Sequence, residues 1–246
     1  MRALRGYLLL GVLVFAVVIA ATLPARVVVP FLPTRLALHD VSGSIWEGAA
    51  AQVNLDGAPL GQLQWHLSPL EGLRARLAGD VTITRPDGHL SGHLSVQRDG
   101  QLEAQGLSLD LPLNTLHPES TQAGWQGRLR GEVTYARLEQ GWPVALAGHF
   151  TIEHLRAPNA PDDLGRFRLT FDPRDSTPQA LLGRLQDDGG PLSVIAQLRL
   201  EPARAYQLAG DVAARGALSD ELSRALAFLG APSENGRRPI SLSGTF

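Results

Sequence analysis

A chain of 246 residues with 22 basic against 24 acidic side chains and no cysteine leaves several classes without a basis. No disulfide framework, thiolate metal site or cysteine nucleophile is available. Every basic residue is arginine, but the arginines stand singly among the acids, so no basic stripe supplies the attraction that nucleic-acid binding needs.

The chain opens on an uncharged apolar run from Tyr7 to Leu23, preceded by Arg2 and Arg5 and closed by Pro24 and Arg26. A helix over these positions is roughly 26 Å long, just enough to cross a ~30 Å hydrocarbon core. Tyr7, Leu10, Val14, Val18 and Leu23 mark this expected membrane anchor. The rival reading is a cleaved signal peptide, with Leu8 to Ala20 as its apolar core and Ala20 and Ala21 near the cut. Both readings put Arg26 to Phe246 outside the cytoplasm, because the amino-terminal tail is too short to be the exported part. The expected division is therefore an anchor at 1–25 and a β-rich domain at 26–246, with Pro158 to Asp163 as a linker and sub-boundary.

Beyond the anchor, two prolines in Val27 to Pro33 favour an extended connector. The pattern then turns to period two. Over 44–54, Ser44, Trp46, Gly48 and Ala50 are expected on one strand face and Ile45, Glu47 and Ala49 on the other. Over 60–67, Leu63, Trp65 and Leu67 point inward and Gln62, Gln64 and His66 outward. Ser68-Pro69 breaks the run.

A unit Leu-x-Gly-x-apolar then recurs at Leu77, Leu90, Leu129, Leu146, Leu208 and Leu242. Its glycines fall on the apolar face, with Asp80, His93, Glu132, His149 and Asp211 opposite. Glycines at such positions commonly mark a bend, a bulge or close approach of other backbone. Asp87-Gly88, Asp99-Gly100, Asp188-Gly189 and Asn235-Gly236 supply hairpin chemistry, so successive strands lie antiparallel.

Strands are expected at 35–39, 44–54, 60–67, 74–85, 89–98, 101–110, 126–138, 143–153, 165–172, 179–186, 191–200, 205–214 and 240–246. A helix is expected at 220–229, capped by Ser219, striped by Leu222, Leu226 and Leu229, and ended by Gly230 and Pro232. The fold class is mainly β: an amino-terminal transmembrane helix, a curved, strongly twisted, groove-like antiparallel sheet, and a short helix near the C-terminus.

Catalytic chemistry finds little to build on. His89 and His93 have a spacing that serves on a helix, but on a strand they stand roughly 13 Å apart, far beyond the reach of a shared zinc at ~2 Å. They read as solvent-facing residues. Asp162-Asp163 and Asp187-Asp188 read as turn chemistry. No nucleophile elbow, phosphate loop or dinucleotide fingerprint occurs. Neither catalytic residues, a metal nor a cofactor is expected, and the chain is not read as an enzyme.

Ser42-Gly43-Ser44-Ile45-Trp46-Glu47-Gly48-Ala49, Leu63-Gln64-Trp65-His66-Leu67-Ser68-Pro69-Leu70, Leu226-Ala227-Phe228-Leu229-Gly230 and Pro239-Ile240-Ser241-Leu242-Ser243-Gly244 stand in this order behind one anchor. Together they resemble the type II secretion system protein N family. The resemblance implies a single-pass protein of the cell inner membrane with its bulk in the periplasm. It further implies a non-catalytic role in export of folded proteins across the outer membrane, with other secretion components as partners. Trp46 and Trp65 read first as anchors of the first hairpin core. Trp46, Leu242, Gly244 and Phe246 are the candidate partner contacts. A terminal aromatic residue also closes outer-membrane barrels, but the aromatic girdles of such barrels are missing among four Trp, three Tyr and seven Phe. The alternative reading is a periplasmic lipid-binding or lipid-transfer protein, with a lipid in place of a protein partner.

Overall fold

A computed structural model describes residues 22–27, 29–31, 36–55, 57–73, 76–113, 124–158, 162–177, 180–202 and 205–245. Of the expected anchor positions, Tyr7, Leu10, Val14 and Val18 lie outside the described residues, as does Phe246. Among the described residues no helix is long and apolar enough to cross a membrane. The chain divides into two compact units, Met1–Arg85 and Pro86–Phe246.

The first unit holds β1 (Leu36–Gly43), β2 (Glu47–Leu55), β3 (Ala58–Leu67) and β4 (Leu77–Arg85), each antiparallel to the next. A one-turn helix, α1 (Pro69–Leu73), joins β3 to β4. The sequence had suggested only a break there. Pro69 suits the first helical position, since its missing N–H is an orphan in any case. Along β3 the burial alternates as read, with Leu63, Trp65 and Leu67 inward and Gln62, Gln64 and His66 exposed.

The second unit is a nine-strand meander. It runs β5 (Gly88–Val96), β6 (Leu102–Pro112), β7 (Gln126–Glu139), β8 (Trp142–Arg156), β9 (Phe167–Phe171), β10 (Leu181–Asp187), β11 (Leu192–Glu201), β12 (Ala205–Ala214) and β13 (Arg238–Thr245). Every consecutive pair is antiparallel. Helix α2 (Asp220–Phe228) lies between β12 and β13.

Among the described residues two clusters form its core. One centres on Leu164, Phe167, Val194, Ala196 and Val212, with Leu222 and Leu226 of α2 packed on it. The other centres on Ala104, Val133 and Ala136, with Phe150 alongside. Phe150 meets Phe171 edge to face at 6.2 Å. The glycine units at Leu129 and Leu208 behave as the period demands, whereas Leu77 and Leu242, expected on the apolar face, stay 49% and 59% exposed. Gly131 and Val133 are buried around an exposed Glu132, and Gly210 lies between Leu208 and Val212, which both belong to the first cluster.

Two further details depart from the sequence reading. Ser44 to Trp46 form a bend before β2 instead of its first residues, because Ser44 Oγ accepts the N–H groups of Trp46 and Glu47 at 3.2 and 3.1 Å. The two-face assignment of Ile45 and Trp46 therefore fails. Leu229 caps the C-terminus of α2 and stays 40% exposed instead of completing its apolar stripe. On the flanks of the expected linker, Leu164 N–H donates to Leu155 O at 2.8 Å and Leu155 N–H to Gly165 O at 3.2 Å.

Candidate functional site: an apolar cavity and a sheet edge

In the first unit an apolar cavity of about 320 Å³ opens among Leu36, Leu38 and Val41 of β1, Ile45 and Trp46 of the bend, Leu63, Trp65 and Leu67 of β3, and Leu77 and Val81 of β4. Ala25 and Val29, from two short 3-10 turns that follow the amino-terminal apolar run, also line it. Every lining residue is apolar, and the wall is carbon almost throughout.

Local chemistry explains how these side chains converge. Asp40 adopts φ of +52°, a left-handed conformation that aspartate tolerates. The alternation breaks there, so Leu36 and Leu38 before it and Val41 after it line the same space. Gly43 turns the chain at φ +86°. The tryptophans rest on glycines: a Cβ at Gly48 would stand 2.3 Å from Trp65 Cζ2, and one at Gly72 would stand 2.9 Å from Trp46 Cη2. Trp65 Nε1 donates to Ile45 O at 3.2 Å, tying the bend to β3. The Gly43-Ser44-Ile45-Trp46-Glu47-Gly48 motif is thus a turn, a capped bend and a seat for an indole ring. Trp65 anchors the hairpin as expected, but with Trp46 it also walls a cavity. Val41 and Ala25 went unnamed at the sequence level, and Ile45 was placed on the strand face opposite Trp46, since all three join the wall only through the bend and the positive φ of Asp40.

The second feature is the strand β13, which pairs with β12 alone among the described strands. Leu242 is 59% exposed on it, and Gly244 accommodates the Tyr206 ring, 2.8 Å from where a Cβ would sit.

The carboxylates of the two adjacent pairs each engage a polar partner. Asp162 accepts from Ser219 Oγ at the start of α2. Asp163 accepts from His154 Nδ1 and from Gly165 N–H, both at 2.8 Å. The His154 hydrogen bond, against the opposing effect of burial, holds the Asp163 carboxyl below its ordinary range. Asp187 accepts Val194 N–H at 2.7 Å and pairs with Arg215 at 2.5 Å, while Asp188 meets Arg166 and Arg168 at 3.5 Å.

Across β6 to β8, Asp110 pairs with Arg128 and Arg130, and Arg130 reaches Glu153 at 2.8 Å. Burial alone would raise the Asp110 carboxyl, but the hydrogen bonds and charges of these arginines outweigh it and lower it. His89 and His93 are both exposed on β5. Among the described residues no cluster of three or more His, Asp or Glu is arranged to hold a metal.

The described residues make a mainly β chain with an antiparallel meander, an apolar cavity near the end of its amino-terminal run and adjacent carboxylate pairs engaged in turns and caps. Residues 34–241 match the family model for type II secretion system (T2SS), protein N, and the chain belongs to that family. It is similar to the type II secretion system protein N of Aeromonas hydrophila, with 27% identity over 237 residues and 90% of each chain covered. It is also similar to the type II secretion system protein N of Vibrio cholerae serotype O1, with 28% identity over 258 aligned positions and 99% of each chain covered. No solved structure matches the chain.

Proposed function

We propose that this chain is a non-catalytic component of the type II secretion system that takes part in export of folded proteins across the outer membrane. In this reading Tyr7 to Leu23 is retained as a single inner-membrane span, and residues 26–246 work in the periplasm. The observation that carries it is the family match across nearly all of the β-rich region, 34–241. The carboxylate partners support the non-catalytic part, since each of the four acids in the adjacent pairs is engaged in a turn, a cap or an ion pair.

The contact with other secretion components is assigned to β13, where Leu242 offers exposed apolar surface beside a strand edge able to accept an added strand. Gly244 and the terminal Phe246 extend that contact. Glycine-centred strands, as at Gly131 and Gly210, suit the curved, groove-like sheet expected for this domain. Trp46, the other expected contact, faces the cavity of the first unit.

The test is secretion. A strain lacking the chain should retain type II substrates in the periplasm. Wild-type chain should restore their release, while Leu242→Arg, produced at the same level, should restore less. Normal release in the deletion strain, or full rescue by a chain shortened to remove residues 1–25, would overturn the reading.

A further inference from the structure

We propose that the apolar cavity of the first unit takes up the acyl chain of a membrane lipid. The inference adds a ligand to the chain and rests on the reading of Tyr7 to Leu23 as a membrane span. Three observations converge. The first is position. Leu23, the last residue of the apolar run, accepts the Ile45 N–H through its carbonyl at 3.0 Å, and Pro24 bridges to Ser44. Ile45 and Ala25 are both wall residues. The cavity therefore begins one hydrogen bond from the end of the span, where lipid is the most abundant apolar ligand.

The second is wall chemistry. Leu36, Leu63, Leu77, Val81 and the two tryptophans present no charge, and the Trp65 N–H is already committed to Ile45 O. A peptide strand entering this space would bring N–H and C=O groups that the wall cannot satisfy, at a desolvation cost an alkyl chain does not carry. The third is size and access. About 320 Å³ falls at the lower end of the ~300–1,000 Å³ typical of ligand pockets. Leu77, on the wall, is 49% exposed, and Leu70 on α1 is 71% exposed. Exposed Arg26, next to Ala25, supplies a cation on the chain segment where a lipid phosphate would lie.

The experiment uses the full chain carrying Trp125→Phe and Trp142→Phe, so that Trp46 and Trp65 alone report. It is reconstituted into phosphatidylethanolamine and phosphatidylglycerol vesicles, either plain or brominated at mid-chain. The expected result is a loss of tryptophan emission in the brominated vesicles that is reversed by filling the cavity with Val41→Phe or, separately, Val81→Phe. Unfolding midpoints identify any variant that fails to fold. Unchanged emission in brominated vesicles, or quenching that persists in both folded filled variants, overturns the proposal. So does a protein segment crosslinked from position 46 in place of lipid. Flotation tests the span separately: if the chain does not float with vesicles, the anchor reading fails. Quenching by brominated fatty acid in solution then decides the cavity alone.

Discussion

Gly92 and Gly131 hold space that a side chain cannot share. A Cβ at Gly131 would stand 2.7 Å from Phe150 Cδ1, and one at Gly92 would stand 2.3 Å from Leu107 Cδ2 and 3.0 Å from Leu107 Cα. Valine favours strands in general, but here it meets a packed ring or the neighbouring backbone. Gly92→Val and Gly131→Val should each destabilise by about 1–3 kcal/mol, as overpacking does, in denaturant titrations. Unchanged midpoints in both would show these glycines to be incidental. Asp163 gives a pH signature. Its carboxyl is lowered in the folded state, so its contribution is present above the ordinary carboxyl range and is lost as pH falls through the folded value. The stability advantage of wild type over Asp163→Asn should therefore hold at mildly acidic pH and shrink below about pH 4. A constant difference across that range would contradict the assignment.

At the scale of elements, α2 shows what a local signal can specify. Ser219 Oγ accepts Leu222 N–H at 3.2 Å and donates to Asp162, so one hydroxyl caps the helix and ties it to the loop before β9. Ser219→Ala should cost about 1 kcal/mol, as cap removal commonly does, and should shift the unfolding midpoint accordingly. No shift would mean that the cap is idle. The helix, its cap and the strand alternations at Leu63 to Leu67 and Gly131 to Val133 were legible because each is set by residues close in sequence. The bend at Ser44 to Trp46 was not, because a serine hydroxyl took over backbone donors that the period assigned to a strand. Nor was the cavity legible. It depends on the positive φ of Asp40 and on side chains from three strands, a bend and two 3-10 turns meeting in space, and neither leaves a periodic mark.

At the scale of the molecule, an apolar cavity in one unit and a strand edge in the other carry the two proposals, membrane attachment through the amino-terminal run and partner contact through β13. Family membership points to the secretion machinery, and the proposed contact at β13 gives it an address that can be tested. The most direct measurement is photocrosslinking in living cells from position 242, with the captured species identified by mass spectrometry. The account predicts capture of another component of the type II secretion system, with loss of that product when β13 is disrupted by Gly244→Pro. Crosslinks to lipid alone, or a product profile indifferent to the presence of the other secretion components, would contradict it.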